Sequence, residues 1–251
     1  MKTNKSSESA ANNPPGVVIE RSGNILSFAL DNPENGNEVT LAMMEAMLSE
    51  LRAEALRPQA RVLRIRARGK VFCTGRERAG GNAEELRAES QRILEFKRAL
   101  RTSPLISIAE VHGDAFGFGF GLAIVCDFVF VAETASLGFP EMRKGLAPAA
   151  IMSYLGEYIL PRHAFPLVLC GEPIDASRAR QIGLVSQVCA ADQLNREAEA
   201  LANRILRLEP GATRRCKEFF LAAQQNFFEQ NSRLAVESLT VGSLAALSKL
   251  K

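Results

Sequence analysis

His112-Gly113-Asp114-Ala115-Phe116-Gly117-Phe118-Gly119-Phe120-Gly121 places four glycines and three phenylalanines between a strand expected at Leu105–Val111 and a short apolar helix expected at Phe120–Cys126. Glycines at such a junction let backbone N–H groups turn into a cleft, and a helix start adds partial positive charge. A second junction of this kind, Phe72-Cys73-Thr74-Gly75-Arg76-Glu77, follows a strand expected at Val62–Ile65. Two N–H donors brought together from separate loops would form an oxyanion hole. A Gly-x-Gly-x-x-Gly string also serves dinucleotides, but only within a matching first βαβ unit. Here Phe116, Phe118 and Phe120 crowd the loop and suit an apolar ligand better than a pyrophosphate. Tight strand–helix packing is the competing explanation of the glycines.

Outward from these loops, the pattern alternates strand and helix and then becomes helical, an α/β core with a helical C-terminal part. Val17–Ile19 and Ile25–Leu30 flank Gly23-Asn24 as a hairpin. Thr40 is placed to cap a helix through Arg57 with Met43, Met47, Leu51 and Ala55 on one stripe. Glu84–Leu100 reads as a helix with Leu86, Ile93 and Leu100 seven apart. Asp127–Ala132 and Val185–Val188 read as strands, and helices are expected near 149–158, 163–170 and 176–182. Residues 192–250 read as helical with a break at Pro210-Gly211, and Met1–Pro15 as a polar, disordered tail.

Composition narrows the function classes. Of 251 residues 47% are apolar and 24% charged, enough for a sizeable core. No apolar run approaches the roughly 20 residues of a membrane helix, and the start lacks a signal-peptide core, so a cytoplasmic protein is expected. Five widely spaced cysteines without C-x-x-C read as free thiols, and two histidines, His112 and His163, argue against a histidine metal centre. Net charge is +3, yet residues 51–101 hold 14 Lys/Arg against 6 Asp/Glu. That excess is either a solvated helical surface or a patch for an anion. With no Trp and two Tyr there is no stacking platform for nucleic acid, and a phosphorylated small ligand fits better.

The two glycine-rich loops resemble the oxyanion segments of the crotonase (enoyl-CoA hydratase/isomerase) superfamily. Phe72–Glu77 is similar to its F-x-x-G-x-D element. Residues 112–127 are similar to N-G-x-x-x-G-G-G-x-E-x-x-x-x-C-D, ending in Cys126-Asp127. Asn32-Pro33 through Asn37 resembles N-x-P-x-x-x-N, and Gly138-Phe139-Pro140-Glu141 through Pro148 resembles F-x-x-P-E-x-x-x-G-x-x-P. Gly171 through Gly183-Leu184-Val185 resembles G-x-x-I-x-A-x-x-A-x-x-x-G-L-V. These five blocks are collinear over about residues 16–220.

The resemblance implies an α/β fold, a crotonase-like spiral of ββα units. It implies a core over 16–190 and a helical region over 191–251 for trimerisation and part of the CoA site. It further implies a homotrimer or dimer of trimers acting on an acyl-CoA thioester through an oxyanion-stabilised enolate. CoA would be part of the substrate, with no other cofactor, no metal, no nucleic acid and no membrane partner. The oxyanion donors fall on the N–H groups of Arg76 and Phe118. CoA contacts fall on Lys70, Cys73, Thr74 and Lys217, and Phe72, Phe116 and Phe120 are candidates for the acyl pocket. Arg76 could also meet a charged substrate or a CoA phosphate.

One departure stands out. Of the two family glutamates that position a water, the second falls on Glu141 and the first on Gly121. A single carboxylate can still move a proton between two carbons, acting first as base and then as acid. Isomerisation and hydration therefore both stay open, because relatives similar to methylglutaconyl-CoA hydratases also carry a G-x-G-L string, here Phe118–Leu122. Acyl-CoA hydrolysis, C–C cleavage or a CoA-binding chain without catalysis are the alternatives. Asp114, Glu77 and Glu110 are candidate replacement carboxylates, with structural or exposed roles the simpler expectation. His112 and His163 are expected to be structural.

Overall fold

The computed structural model describes residues 14–78 and 82–224. Its strands are β1 (Gly16–Ser22), β2 (Ile25–Asp31), β3 (Val62–Ala67), β4 (Ile106–Val111) and β5 (Ala115–Phe116). β6 (Phe128–Ala132), β7 (Ser136–Gly138), β8 (Ile174–Asp175) and β9 (Gln187–Cys189) follow. The helices are α1 (Leu41–Leu56), α2 (Ala83–Arg101), α3 (Phe118–Ile124) and α4 (Ala149–Leu155). α5 (Pro161–Cys170), α6 (Ala176–Gln181), α7 (Leu194–Leu206) and α8 (Pro210–Ala223) complete the set.

The main sheet runs β1-β2-β3-β4-β6-β9, antiparallel at the β1–β2 hairpin and parallel elsewhere. Period-two alternation splits its side chains between two layers. Val129 and Val131 face the large core shared with α1, α2 and α3, whereas Phe130 packs with Leu201 and Ile205 of α7. β4 is buried along its whole length because both faces are covered. Its one charge, Glu110, is taken up by Arg64 on β3 in a two-pronged pair of 2.5 and 2.8 Å. A second sheet, β5-β7-β8, was not foreseen, since strands of two or three residues carry no readable period.

Several boundaries differ from the sequence reading. α3 starts at Phe118 rather than Phe120, so the glycines lie inside its first turns. β9 is displaced to Gln187–Cys189. On α1, Thr40 caps Met43 N–H at 3.2 Å as expected, but Glu54 rather than Ala55 joins the buried stripe. Glu54 is satisfied there by the N–H groups of Gln59 and Ala60, at 2.7 and 3.0 Å, and by Arg21. Residues 1–13 of the expected tail and the expected helix beyond residue 224 lie outside the described residues.

The basic excess of 51–101 is largely neutralised locally. Arg52 pairs with Glu95, Arg64 with Glu110, Arg66 with Glu20, Arg68 with Asp31 and Arg76 with Glu89. Arg92 bridges Glu45 and Glu95, and Arg101 meets Glu157. Among the described residues no helix is long and apolar enough to cross a membrane, and no cluster of three metal-ligating side chains occurs.

Candidate active site

Backbone hydrogen bonds zip the two glycine-rich loops together. Phe72 and Cys73 N–H both donate to Asp114 O, at 3.0 and 3.2 Å, and Phe116 N–H returns to Cys73 O at 2.9 Å. Gly119 sits so close that an added Cβ would lie 2.2 Å from Cys73 O, so only glycine permits this approach. The first loop is braced from below by Asn37. Its side-chain amide donates to Arg68 O and Val71 O at 2.7 and 2.9 Å and accepts from Asn32 N–H at 2.8 Å. Val39 bridges to Arg76 on the other side. The Asn-Pro-Asn block thus acts as a strut.

Between the loops, α2 and the 140–151 segment lies a cleft of about 890 Å³. Thr74, Gly75 and Arg76 form one wall, Gly117 and Phe118 the next, and Pro140 and Glu141 the third. Among the described residues, the N–H groups of Arg76 and Phe118 have no hydrogen-bond acceptor, and both residues line this cleft. Leu86, Ile93 and Leu94 of α2 and Ile151 of α4 supply apolar surface.

Glu141 is the second residue of a 3-10 turn over Pro140–Lys144 that ends at Gly145 in a left-handed conformation. Leu146 N–H returns to Glu141 O at 3.0 Å and fixes the turn. One carboxylate oxygen of Glu141 is buried without a partner. Burial pushes its carboxyl above the usual range, and the charges of Lys144 and Arg78 offset part of that rise. Gly117, at a φ of 53°, is needed beside it: an added Cβ would stand 3.0 Å from the other carboxylate oxygen.

The space at Gly121 is occupied. An added Cβ would come within 2.7 Å of the Tyr154 hydroxyl and 3.5 Å of Lys97 Nζ. Tyr154 Oη donates to Gly121 O at 3.3 Å, and Lys97 Nζ donates to Phe118 O at 3.2 Å while lying 4.2 Å over the Phe118 ring. The sequence reading missed both. Lys97 follows Phe96 inside an ordinary amphipathic pattern, and nothing in its spacing marks it. Glu38, a carboxylate on the cleft wall beside Gly75, was also missed. Its only signal was its place directly after Asn37.

Other expected site residues lie elsewhere. Phe72 and Phe120 are fully buried, with Phe120 stacked on Phe139 at 5.1 Å. Phe116 is on β5, and none of the three lines the cleft. The apolar wall comes from α2, α4 and Phe118 instead, because Phe72 and Phe120 are packed into the core. Thr74 lines the cleft, with its hydroxyl on Gly36 O at 3.2 Å. Cys73 is buried, its thiol pushed up to about 11. Lys70 is exposed and outside the cleft lining. Lys217 is not at the cleft either: it is buried, with Nζ 2.7 Å from both Leu105 O and Asp127. Asp127 of the Cys-Asp pair also holds Ser107. Asp114 accepts from Ser136 N–H at 2.9 Å, and Glu110 is spent on Arg64. Glu77 is exposed. His112 Nε2 donates to Gly69 O at 3.0 Å, and His163 sits on α5. Arg76 holds its guanidinium on Glu89 and Glu77 O.

The sequence profile of the "Enoyl-CoA hydratase/isomerase" family matches residues 20–243. The chain therefore belongs to that family, within the crotonase superfamily, and is an enzyme of the enoyl-CoA hydratase or isomerase type. A Thermus thermophilus protein provisionally named an enoyl-CoA hydratase is 31% identical over 229 residues, covering 87% of this chain and 88% of its own. The crystal structure of an enoyl-CoA hydratase from Mycobacterium smegmatis superposes with a TM-score of 0.87 at 24% identity, covering 91% of each chain. A provisionally named enoyl-CoA hydratase from Thermobifida fusca, solved in complex with CoA, gives 0.82 at 28% identity, covering 93% and 95%. The fold is thus the crotonase fold expected from the five blocks.

Proposed function

We propose that this chain moves a proton on an acyl-CoA thioester, with Glu141 as the acid/base and the N–H groups of Arg76 and Phe118 holding the thioester oxygen. The observation that carries this reading is the partnerless, buried carboxylate oxygen of Glu141 in a cleft beside two open amides. Those amides suit an oxygen that gains charge as an enolate forms. The raised pKa of Glu141 makes its carboxylate a stronger base toward the thioester α-C–H and so narrows the gap between the two acids. In isomerisation, the carboxylate takes a proton from the α-carbon and returns it at the γ-carbon, so the double bond shifts and the composition is unchanged. Nothing beyond CoA, carried by the substrate, is needed as cofactor. Thr74 and the apolar α2 wall would flank the bound thioester. Exposed Leu160, Phe165 and Leu169 at α5 are consistent with packing as a homotrimer or dimer of trimers.

Hydration is the second reading, favoured by one observation: Glu38 puts another carboxylate on the same cleft. There, Glu38 would orient a water whose hydroxide adds at the β-carbon while its proton ends at the α-carbon.

The test is exchange of the thioester α-proton with deuterated solvent, followed beside crotonyl-CoA hydration. Exchange by the wild type that is lost in Glu141→Gln supports the core of the proposal. Exchange that survives in Glu141→Gln removes Glu141, and its absence from the wild type sinks the proposed proton transfer at the α-carbon. Hydration lost in Glu38→Gln with exchange retained selects the second reading.

A further inference from the structure

We propose that Lys97 is a positioning residue: a buried amine of α2 that clamps the ring and carbonyl of Phe118 and so holds the Phe118 N–H toward the substrate oxygen. The inference rests on the oxyanion role proposed above for that N–H.

The argument begins with what the other buried charges do. Arg64 meets Glu110, and Asn195 completes its shell. Lys217 meets Asp127, and Glu54 meets Arg21. Lys97, 5% exposed, has no carboxylate within 4 Å among the described residues. Among the described residues its ammonium donates to Phe118 O and lies over the face of the Phe118 ring, and the charged groups acting on it are only the thiols of Cys73 and Cys126, both pushed toward the neutral form by burial. A buried ammonium with so little compensation costs stability, so the fold alone gives no reason to keep it. Burial correspondingly lowers its pKa to about 7.

Phe118 needs an external clamp. Its N–H belongs to the Gly117–Phe118 peptide, whose carbonyl accepts from Gly121 N–H at 2.9 Å, so the N–H direction follows the orientation of the first turn of α3. Gly119 and Gly121 give that turn no side chains of their own to pack with. Phe96, the neighbour of Lys97, stacks on the same ring at 6.3 Å and 19°. α2 therefore grips Phe118 three ways: ring on ring, amine on ring and amine on carbonyl. Holding the ring and carbonyl of Phe118 fixes the orientation of that turn, and with it the direction of the N–H. An apolar residue at 97 would pack on the ring but would lose the amine's hydrogen bond to the carbonyl. Tyr154, donating to Gly121 O one turn along, holds the next part of the same helix.

The test uses the full chain and Lys97→Met, which keeps length and removes the amine. The expected result has four parts. Melting temperature is unchanged or higher. The turnover number, or the α-proton exchange rate at saturating thioester, falls about 10- to 100-fold, the range of one lost oxyanion donor and below. KM and the dissociation constant for CoA stay within about threefold, the signature of an interaction that acts in the transition state. Amide hydrogen exchange in the peptide spanning residues 113–121 quickens while the rest of the chain is unaffected. A melting temperature that drops with activity in proportion would make Lys97 a structural residue and overturn the proposal. Unchanged turnover and unchanged amide exchange would overturn it as well. If the wild type neither binds nor exchanges any thioester, the proposed oxyanion and proton-transfer reading fails, and the melting and amide-exchange arms still decide whether Lys97 positions Phe118.

Discussion

The region under α7 and α8 and the region around the cleft treat buried charge in opposite ways. Under α7 and α8, each buried charge has an opposite partner and further hydrogen bonds: Arg64 with Glu110 and Asn195, Lys217 with Asp127 and Leu105 O. Around the cleft, among the described residues, Glu141 keeps an oxygen unpartnered, and Lys97 sits against Phe118 without a carboxylate. Both cleft groups have pKa values moved toward the neutral form by burial, Glu141 upward and Lys97 downward. Paired charges serve the fold, whereas unpaired buried charges weaken it and are retained where chemistry uses them.

This contrast can be broken by substitution. The largest effect is expected at Glu141: Glu141→Gln should lose about 10²–10⁴-fold in turnover, with thioester binding and melting temperature nearly unchanged. Calorimetry beside steady-state kinetics checks both halves. In the wild type, the acid limb of kcat/KM should lie above 4.5, the ordinary value for such a carboxylate, because burial raises its pKa and the base works only when ionised. A limb at or below 4.5 contradicts the assignment.

Next comes Lys217→Met, which leaves Asp127 without its cation. Breaking a buried pair costs about 3–5 kcal/mol, and the partial exposure of the Asp127 side chain, 23%, puts the expectation at the low end, about 3 kcal/mol. Urea unfolding should show that loss while CoA binding persists. A variant as stable as wild type would erase the contrast with Lys97→Met.

A smaller effect is expected from Gly121→Glu. Overpacking against Tyr154 and Lys97 should cost about 1–3 kcal/mol, with no gain in crotonyl-CoA hydration. Adding Tyr154→Phe removes the hydroxyl 2.7 Å from the new Cβ and should restore part of the stability. A double-mutant cycle measures that coupling. If Gly121→Glu alone gains hydration, the space is not closed by these two side chains.

The smallest effect is a slope. The folded-state pKa of Lys97, about 7, lies below the ordinary 10.5, so between those values the unfolded chain holds a proton that the folded chain has shed. Stability therefore rises with pH in that window. The groups facing Lys97 titrate higher: Cys73 at about 11, Cys126 at about 12, and Tyr154 above the ordinary tyrosine value. The rise should thus be clearest between pH 7 and 9 and should vanish in Lys97→Met. Parallel slopes in both proteins would mean that Lys97 does not titrate there.

Much of the fold was legible because its signals are local. The Gly23-Asn24 turn, the Thr40 cap and the apolar runs of β3, β4 and β6 each declare themselves within a few residues. The short strands of the second sheet do not, because their pairing depends on distant partners such as Leu137↔Ile174. At the site, Glu141 and the glycine-rich loops were visible as motifs. Lys217 was misjudged, since a lysine near a basic stretch looks the same in sequence whether it faces solvent or lies buried on Asp127.

By itself, the sequence determined the order of the main-sheet strands and of the helices through residue 182, the two glycine-rich junctions and the replacement of a carboxylate by Gly121, because spacing and residue type carry these directly. Only the tertiary structure decided what fills the space at Gly121 and which charges find partners. Those outcomes depend on α2 and α4 converging on α3 across gaps of 21 and 33 residues, where Lys97 reaches Phe118 and Tyr154 reaches Gly121. No local pattern encodes such a meeting, since it is set by packing in three dimensions.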